Sequence, residues 1–534
     1  MASTRPASTA MANEDAPPRI RRALLSVYDK SGLIPLAETL HDHNVELIST
    51  GGTARTLRDA GLPVTDVSAI TGAPEMLDGR VKTLHPAIHA GLLARRDREE
   101  DLDELDAHDI APIDLVVCSL YPFQQARHRG DLSEQELLEF IDIGGPTMLR
   151  AAAKNYQHVG VVSHTDQYDE VIQVLNEHDG ALPAPLRRSL AGRAFAATAS
   201  YDTAIANYLG SPHGGDALPE PYVAVEGKTQ SLRYGENPHQ RAALYGTPFS
   251  FVKPLHGKPL SYNNMIDVHG ALTLIDEFQS DGPTCAILKH TNPCGVATGD
   301  TLLDAYTRAF ETDTKSPFGG IVVVNQALDR ATAEAINSIY TEVVIAPEFE
   351  DGVLALLQEK KKRRILKQTG ALRNDPRLQV RSVIGGLLVQ DRNPVSAPLA
   401  ESRSAWQVVT EKAPSDAMWA DLHFAWRVVK HVKSNAIVYA RNGRTLGIGA
   451  GQMSRVDASE IAVQKARNES LSLNGAVIAS DAFFPFADGL EAAAAHGISG
   501  AIQPGGSIRD DEVIAAANAH DIAMVCTGER NFCH

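Results

Sequence analysis

Short apolar runs alternate along the chain with segments in which apolar residues recur at helical spacing. The run Ala23–Val27 predicts a strand, and the runs Val45–Ser49, Asp114–Ser119 and Val159–Ser163 predict three more. Between the first two runs, apolar positions at helical spacing predict a helix, at Leu33, Leu36, Ala37 and Leu40. Strand and helix in repetition predict a parallel α/β sheet with helices on both faces.

A segment rich in proline and glycine divides the chain. Residues 211–221 (SPHGGDALPEP) contain three prolines and two glycines, which is typical of a linker between domains. We therefore expect an α/β domain over 21–210 and a second over 222–534. The second domain resumes the alternation, with strands predicted near Cys285–Leu288, Ile321–Val324, Val343–Ala346, Ile437–Ala440 and Ala476–Ala479. No fixed-period repeat is evident, and residues 1–20 predict a disordered tail in which Met11 is a second possible start.

Composition and charge narrow the class of protein. The 534 residues include 66 acidic and 50 basic side chains, which argues against a non-specific nucleic-acid or membrane binder. No apolar run reaches the roughly 18 residues that a membrane span needs. Five scattered cysteines are typical of a reduced, intracellular protein, so we expect a cytoplasmic location. The basic run Lys360–Arg364 predicts the solvated face of a helix.

The first domain contains two Gly-Gly turns, each placed before a predicted helix. These turns are Thr50–Thr53 and Asp142–Thr147, and the basic segment Arg80–Pro86 lies between them in the chain. Glycines let the backbone approach an anion, and a helix N-terminus favours negative charge. Together with Lys154, these segments predict a site for a phosphorylated small molecule. His85 and His89 have the spacing of metal ligands on a helix, but Pro86 favours a capping or buried histidine instead.

In the second domain, Lys289–Gly295 (KHTNPCG) follows an apolar run and is predicted to be a polar loop where reacting groups can lie. Histidine can act as a base near neutral pH, and an adjacent lysine can polarise a carbonyl. Phe483, Phe484 and Phe486 are either core residues or the wall of a pocket for a flat ring. Further loops that mix glycine or proline with polar groups are Ser231–His239, Ser316–Gly320 and Gly447–Arg455.

A zinc-dependent nucleoside deaminase is an alternative suggested by Pro293 and Cys294. The deaminase signature is H-x-E followed by P-C-x-x-C. In this chain no glutamate follows His290 at that spacing, and Ala297 stands where the second cysteine would be. The zinc ligand set of that class is therefore absent from this motif.

Taken together and in this order, the motifs closely resemble the bifunctional purine biosynthesis family, in which an AICAR transformylase is joined to an IMP cyclohydrolase. The resemblance runs from about Arg21 to His534 and rests on SVYDKSGL, STGGT, GRVKTLHP, IDIGGPTMLRAAAKN, LRYGENPHQ, LKHTNPCG, SPFGG, KSNAIVYA, GIGAGQMSR and SDAFFPF. It implies formyl transfer from 10-formyltetrahydrofolate to AICAR, followed by closure of the formylated product, FAICAR, to IMP with loss of water. It also implies a homodimer with transformylase sites at the interface and no catalytic metal.

The resemblance implies a fold for each domain. The first would be methylglyoxal-synthase-like with a parallel sheet. The second would be a pair of cytidine-deaminase-like α/β subdomains without catalytic zinc.

The resemblance also carries residue roles for the cyclohydrolase. The groups nearest the chemistry would be Lys82, Tyr121, Asp142 and Lys154. The nucleotide would be bound by Asp29, Lys30, Thr50, Gly51, Gly52, Thr53, Arg80, Val81, Thr83, Cys118 and Ile143. Ser119 stands where the family often has asparagine.

For the transformylase, Lys289 and His290 match the catalytic pair. AICAR would be bound by Arg233, Tyr234, Gly319, Glu342, Asn435, Arg455, Phe483, Arg530 and His534. Val456 and Asp488 match positions on the folate side. Glu342 replaces an aspartate found in the family, and Cys533 departs from the basic residue expected there.

Two other functions stay open beside this one. Methylglyoxal-synthase-like domains also serve as allosteric modules, so a catalytically silent IMP-sensing regulator would bind IMP without turnover. A zinc nucleoside deaminase would require bound zinc.

Overall fold

The computed structural model describes residues 18–74, 76–77, 81–210, 218–375 and 377–534. The chain divides into two compact units, residues 1–226 and 227–534. Most of the predicted tail and of the predicted linker lies outside the described residues, at 1–17 and 211–217. Between the units, the division falls after Glu226, a few residues beyond that linker.

The first unit contains one sheet of five strands in the order β3-β2-β1-β4-β5, and every neighbouring pair is parallel. The strands are β1 (Arg22–Val27), β2 (Glu46–Ser49), β3 (Thr65–Asp66), β4 (Leu115–Ser119) and β5 (Gly160–Val162). The helices are α1 (Leu33–Asp42), α2 (Gly51–Asp59), α3 (Val67–Thr71), α4 (Pro86–Leu93), α5 (Glu99–Ala107), α6 (Phe123–Arg129), α7 (Glu134–Leu138), α8 (Gly144–Lys154), α9 (Tyr168–Glu177) and α10 (Ala184–Leu209). The predicted parallel sheet is confirmed.

Burial on both faces explains why these strands are continuous apolar runs. Leu115, Val116 and Val117 of β4 are all fully buried, as expected for a parallel sheet covered by helices. The carboxyl ends of β1, β2 and β4 lie at one edge of the sheet, because parallel strands end together. The loops that follow these ends hold the candidate residues of this unit.

The second unit contains a mixed sheet of twelve strands and two small hairpins. The strands are β6 (Lys228–Leu232), β7 (Ala242–Tyr245), β8 (Val252–His256), β9 (Thr284–Lys289), β10 (Asn292–Thr298), β11 (Ile321–Val324), β12 (Val343–Ala346), β13 (Arg364–Gln368), β14 (Gln379–Val383), β15 (Gly386–Gln390), β16 (Gln407–Val408), β17 (Ile437–Arg441), β18 (Arg444–Gly449), β19 (Val477–Ser480), β20 (Gly500–Gln503) and β21 (Ala523–Cys526). The helices are α11 (Tyr262–Asp276), α12 (Leu302–Phe310), α13 (Arg330–Asn337), α14 (Val353–Gln358), α15 (Leu399–Ala405), α16 (Asp416–Val429), α17 (Arg455–Asn468), α18 (Asp488–Ala494) and α19 (Asp510–Ala519).

The large sheet consists of two halves that have the same topology, so this unit contains an internal repeat. Its strand order is β16-β21-β20-β19-β17-β18-β10-β9-β11-β12-β13-β8, and the central strands β10 and β18 are antiparallel. Outward from this centre, β10-β9-β11-β12-β13-β8 matches β18-β17-β19-β20-β21-β16, with α11 to α14 matching α16 to α19 in chain order. The pair of α/β subdomains that the resemblance implied is thus present as two halves of one sheet. No repeat was evident in the residues themselves, because the two halves share topology while their motifs differ.

The antiparallel centre gives the sheet two contrasting edges. At one edge, β9, β18, β19, β20 and β21 end while β10, β11, β12, β13 and β17 begin. This is called the His290 edge below, after the turn between β9 and β10. The opposite edge carries the turn between β17 and β18 and is called the Asn442 edge.

The prediction of a helix at Lys360–Arg364 is wrong, and that of a solvated face holds only for Lys360–Lys362, which are exposed. Helix α14 ends at Gln358, and the last residue of the run, Arg364, begins β13. Arg363 is fully buried, and its guanidinium donates to the main-chain oxygen of Thr341 at 3.2 Å. The guanidinium also donates to Asn337 Oδ1, and these hydrogen bonds offset part of the cost of burying the charge, although Nη2 has no hydrogen-bond partner among the described residues.

Candidate functional sites

Two lysine ammonium groups lie at the amino end of α2 in the first unit. A Cβ built on Gly51 would lie 3.4 Å from Lys82 Nζ, and one built on Gly52 would lie 3.9 Å from Lys30 Nζ. Gly51 has a φ of 49°, which favours glycine. A helix N-terminus presents unsatisfied N–H groups and positive partial charge, and the two ammonium groups beside it add to that positive charge. The arrangement is suited to a phosphate group.

Hydroxyl groups hold the neighbouring loop after β1. Thr53 Oγ1 accepts the N–H of Val27 at 3.1 Å and donates to the oxygen of Val27 at 3.0 Å. Ser119 Oγ accepts the N–H of Tyr28 at 2.8 Å and the N–H of Asp29 at 3.3 Å. Because the Thr53 hydroxyl is bonded to Val27, Thr53 would contact a ligand through its backbone. Ser119 holds the loop that carries Asp29 through these two hydrogen bonds.

The second Gly-Gly turn brings Thr83 and Asp142 together at the amino end of α8. A Cβ on Gly144 would lie 2.6 Å from Thr83 Oγ1, and a Cβ on Gly145 would lie 2.3 Å from Asp142 Oδ2. Both positions therefore require glycine. The N–H of Gly145 donates to Asp142 Oδ1 at 2.8 Å. Burial raises the pKa of Asp142, although backbone hydrogen bonds partly oppose it. Ile143 is exposed beside it.

Tyr121 lies close to this carboxylate. Burial and the charge of Asp142 raise the pKa of the Tyr121 phenol, while Lys82 lowers it. Its ring meets Tyr28 edge to face, with centroids 5.7 Å apart. Cys118 is buried within β4, where burial raises the pKa of its thiol, so its backbone is the part that could meet a ligand.

Three further residues were predicted for this site. Arg80 lies outside the described residues, and Val81 is half-buried at the start of the loop that leads to Thr83. Lys154 is exposed and is the last residue of α8, whose rise places its Cα about 15 Å from that of Gly144. Its role near the chemistry stays a prediction.

The two histidines with metal-ligand spacing have other surroundings. His85 caps α4, and its Nδ1 accepts the N–H of Ala87 at 3.1 Å, which confirms the capping prediction for this residue. His89 is half-buried, and burial lowers its pKa. Across the described ranges, no group of three or more His, Cys, Asp or Glu side chains could hold a metal ion.

In the second unit, Lys289–Asn292 forms a tight hairpin turn rather than the predicted polar loop. Lys289 ends β9, Asn292 begins β10, and the two residues are paired. His290 and Thr291 have φ angles of 49° and 65°. Both turn residues thus have the left-handed conformation that two-residue hairpins normally give to Asn-Gly. That conformation costs about 1–2 kcal/mol for each residue other than glycine.

Lys289 is held next to the start of β11. Its Nζ donates to the main-chain oxygens of Phe318 at 2.9 Å and Gly319 at 3.0 Å. A Cβ on Gly319 would lie 3.1 Å from that ammonium, and the φ of Gly319 is 68°. The Phe318 ring is largely exposed over Tyr340. Lys289, His290 and Gly319 therefore lie together at the His290 edge.

Three residues of this region were not predicted from the sequence: Asp267, Asn264 and Arg364. Asp267 Oδ1 accepts the N–H of Thr291 at 2.8 Å. Glu342 Oε1 accepts from Asn264 Nδ2 at 3.0 Å and from Arg364 Nη1 at 2.9 Å. Asp267, Asn264 and Arg364 are distant from the KHTN motif in the chain, and nothing in their local pattern marks them as part of this site.

Residues from the second half of the sheet lie on the other side of the His290 edge. Asn292 Oδ1 accepts the N–H of Lys433 at 3.0 Å, which joins the turn to the segment before β17. Nearby, Asn435 Nδ2 donates to the oxygen of Met453 at 3.1 Å. Arg455 Nη2 lies 3.2 Å from Oδ1 of the fully buried Asp481. Asn435 and Arg455 are thereby fixed on one scaffold.

The last residues of the chain pack onto the same edge. The guanidinium of Arg530 lies 4.3 Å from the Phe532 ring centroid, and that of Arg455 lies 5.9 Å from it. The main-chain oxygen of His534 accepts from Lys433 Nζ at 2.8 Å and from Arg381 Nη2 at 3.0 Å. Arg530 and His534 are thus brought beside Arg455.

The three phenylalanines after β19 were predicted to be either core residues or a pocket wall, and they do not all have the same surroundings. Phe484 is buried, whereas Phe483 and Phe486 are partly exposed. Val456 and Asp488 lie close together, because a Cβ on Gly489 would lie 4.0 Å from Val456 Cγ2. Elsewhere in this unit, Arg233 and Tyr234 follow β6, and their side chains contact each other at 5.6 Å.

Comparison with known proteins decides the family. The model of the AICARFT/IMPCHase bienzyme matches residues 152–465, and the MGS-like domain model matches 32–147. The bifunctional purine biosynthesis protein PurH of Chloroflexus aurantiacus is 55% identical, over 97% of this chain and 99% of its own. The chain belongs to the AICARFT/IMPCHase bienzyme family.

A second PurH protein and one solved structure are also similar to this chain. PurH of Roseobacter denitrificans is 53% identical over 96% of this chain and 99% of its own. The solved structure of ForH is 38% identical and covers 36% of this chain and 97% of its own, with a TM-score of 0.33. Among the described helices, none is long and apolar enough to cross a membrane.

Proposed function

We propose that this member of the bienzyme family catalyses the last two steps to IMP: formyl transfer from 10-formyltetrahydrofolate to AICAR, and cyclisation of FAICAR. The observation that carries the proposal is the strained turn at the His290 edge, which presents His290 beside Lys289 in a chain that matches the family over its whole length. Strained backbone that the surrounding structure over-determines is concentrated at functional sites.

Formyl transfer needs a base. The 5-amino group of AICAR is delocalised into its ring and is a weak nucleophile, so it must lose a proton as it attacks the formyl carbon. His290 would accept that proton, and Lys289 would stabilise the developing oxyanion. The C–N bond to the folate then breaks, N10 takes up a proton, and tetrahydrofolate and FAICAR leave.

Substrates would be oriented by groups from both halves of the repeat. Arg455 and Arg530 lie on the same Phe532 ring, with His534 beside it, and would bind the AICAR phosphate, since arginine binds phosphate in a bidentate manner. Asn435, Gly319, Glu342, Phe483, Arg233 and Tyr234 are the further AICAR positions. Val456 and Asp488 would contact the folate. No step here draws on a metal ion.

Cyclisation would take place in the first unit. The phosphate of FAICAR would bind at the amino end of α2, beside Lys30. Asp142, whose pKa burial raises, would accept a proton from the attacking carboxamide nitrogen, and Lys82 and Tyr121 would donate to the formyl oxygen. The hydroxyl so formed would leave as water with the proton held by Asp142, and the ring nitrogen would return its proton to the donor as the C=N bond of IMP forms. Holding both reacting groups on one substrate supplies much of the acceleration.

A homodimer in the cytoplasm completes the proposal. The hairpin β14–β15 leaves Ile384, Leu387 and Leu388 strongly exposed, which supports burial against a second copy. Arg381 on the same hairpin donates to His534, so the hairpin also touches the transformylase edge. Sedimentation of wild type and Leu388→Glu tests this step, with a shift toward monomer expected for the variant.

The decisive experiment follows both products. Tetrahydrofolate formation from 10-formyltetrahydrofolate and AICAR is measured by absorbance, and IMP formation from FAICAR is measured separately. We expect wild type to form both, His290→Ala to lose only formyl transfer, and Lys82→Ala to lose only cyclisation.

Three outcomes would contradict the proposal. IMP binding without either product would point to the regulator. Stoichiometric zinc with release of ammonia from a nucleoside would point to the deaminase. Equal loss of both activities in each single variant would contradict the assignment of the two reactions to separate units.

A further inference from the structure

We propose that Asp267 is a positioning residue for formyl transfer: by holding the backbone of Thr291, its carboxylate keeps His290 in its working place. The inference rests on the proposed transformylase function. Asp267 lies on α11, outside the motifs that carry the chemistry, and it acts on the substrates only through the turn.

The contact is direct and local. Asp267 Oδ1 accepts the N–H of Thr291 at 2.8 Å. Three residues further along the same helix, Gly270 faces the same turn, since a Cβ there would lie 3.6 Å from both the Cβ and the oxygen of Thr291. Residues three apart share a helix face, so α11 approaches the turn along one line. The helix is thereby a fixed support for the turn.

The turn needs that support. His290 and Thr291 have φ angles of 49° and 65°. Histidine, like asparagine and aspartate, adopts such angles more often than most residues, whereas a β-branched residue such as Thr291 rarely does. The strain therefore lies mainly at Thr291, the residue whose N–H Asp267 holds. Without the anchor, the turn would relax and the imidazole would move with it.

The carboxylate of Asp267 is affected by the charges of nearby groups. Burial raises its pKa, the Thr291 N–H lowers it, and the charges of His290 and Lys289 lower it further, while Glu342 raises it. Asp267 is half-buried, so its carboxylate is screened from bulk water. The anchor is therefore within electrostatic reach of both His290 and Lys289.

The repeat supplies a matched control. Asp421 has the same place on α16 that Asp267 has on α11, the sixth residue of its helix. Its Oδ1 accepts the N–H of Gly443 at 2.8 Å, and its Oδ2 accepts the N–H of Asn442 at 2.9 Å. Asp421 thus holds the equivalent turn at the Asn442 edge, where no candidate residue of the reaction lies.

The test compares Asp267→Ala, Asp267→Asn and Asp421→Ala in the full-length enzyme, with thermal unfolding measured for each. We expect Asp267→Ala to lower kcat of formyl transfer at least about 10-fold, since a displacement of 1 Å can cost about 100-fold. Its KM for AICAR should stay within about threefold, because the substrate contacts are untouched. Asp421→Ala should lose a similar amount of thermal stability and keep its kcat.

Rescue distinguishes positioning from a merely structural role. Asp267→Asn retains an acceptor oxygen and should keep kcat within about threefold of wild type. Glycine tolerates positive φ, so Thr291→Gly added to Asp267→Ala should recover part of the lost kcat without restoring the hydrogen bond. Glycine already occupies this position in the other turn, at Gly443.

Several results would overturn the inference. Equal kcat in Asp267→Ala and wild type would do so, as would a loss in Asp267→Asn as large as in Asp267→Ala. If Asp267→Ala fails to fold, Asp267→Leu, which is close to aspartate in size and has no acceptor, carries the same comparison with Asp267→Asn. A wild-type enzyme that transfers no formyl group would overturn the proposed function itself and this inference with it, whereas an active wild type with unresponsive variants overturns only the inference.

Discussion

The hairpins Lys289–Asn292 and Arg441–Arg444 occupy equivalent places in the two halves of the twelve-stranded sheet. Each has a basic residue before the turn, and each turn has two residues with positive φ. Lys289 donates to main-chain oxygens just before β11, and Arg441 donates to the main-chain oxygen of Asn474, shortly before β19. The backbone framework is therefore shared.

The side chains on this framework differ. At the Asn442 edge the turn is Asn-Gly, the pair that this turn type favours. Its main-chain oxygens are covered by Arg308, and Arg444 Nη1 lies 2.6 Å from Glu311 Oε2, so the polar groups satisfy one another. At the His290 edge the turn is His-Thr, which the framework holds at a cost of about 1–2 kcal/mol per residue. The difference indicates that the first turn is retained for its chemistry and the second for its stability.

The largest expected effect separates the two turns by activity. His290→Ala should lower kcat of formyl transfer about 100- to 10,000-fold, the usual contribution of a positioned base. Asn442→Ala, at the equivalent position, should leave it within about twofold. Steady-state assays of tetrahydrofolate formation measure both. Comparable losses in the two variants would break the comparison.

The next effect concerns the point where the two halves join. Glu277 and Lys430 are the C-cap residues of the equivalent helices α11 and α16, and Lys430 Nζ lies 2.8 Å from Glu277 Oε1. Both side chains are buried, and His431 Nε2 lies 3.1 Å from the same oxygen. Glu277→Ala should cost about 3–5 kcal/mol, because it leaves a buried cation unpaired. Denaturant unfolding measures the loss.

The exposed pair Arg330–Glu334, at 2.9 Å, is the control for that prediction. Glu334→Ala should cost only about 0.3–0.5 kcal/mol, as is usual for an exposed i,i+4 pair. A similar cost for the two variants would show that burial of Glu277 contributes nothing.

The same pair predicts a pH dependence of stability. Burial alone would raise the pKa of Glu277, but His431 and Lys430 outweigh it and lower the pKa from 4.5 to about 2. Because the folded pKa lies below the unfolded one, the stabilisation is present above pH 4.5 and is lost as the pH falls toward 2. The difference in unfolding free energy between wild type and Glu277→Gln should therefore shrink over that range. A constant difference would contradict the pairing.

The smallest expected effect comes from a substitution that makes the Asn442–Gly443 turn more like the His290–Thr291 turn. Gly443→Thr places a β-branched residue at a φ of 67° and should lower stability by about 1–2 kcal/mol. Formyl transfer should be unchanged, since this turn lies at the opposite edge. Thermal unfolding with a parallel activity assay checks both statements. Unchanged stability would show that the framework does not strain its turn residues.

Much of the fold could be predicted because buried parallel strands leave long apolar runs in the sequence. The runs at Ile321–Val324 and Val343–Ala346 match β11 and β12 residue for residue. The repeat was expected only from the resemblance, as a pair of subdomains. The residues themselves did not reveal it, because equivalence lies in helix and strand order while paired positions, such as His290 and Asn442, differ in sequence. Arg363 was misread for a related reason: a buried arginine is recognised by its acceptors, and these come from distant segments.

The candidate site residues show the same difference between signals that are local in the sequence and contacts between distant segments. The Gly-Gly turns at Gly51 and Gly144 were found because glycine before a helix has a local physical meaning. Asp267 and Arg364 were not found, because each acts on a residue far away in the chain. Lys154 was placed near the chemistry by resemblance alone, and its position at the last residue of α8 leaves that role a prediction.

The measurement that tests the central claim most directly uses the double variant His290→Asn/Thr291→Gly, which gives the first turn the sequence of the second. Thermal unfolding and tetrahydrofolate formation are measured on the same preparation. The account predicts a higher unfolding midpoint than wild type, intact conversion of FAICAR to IMP, and formyl transfer at least about 100-fold slower. A variant that keeps most of its formyl transfer would contradict the claim that the strained turn exists for the reaction.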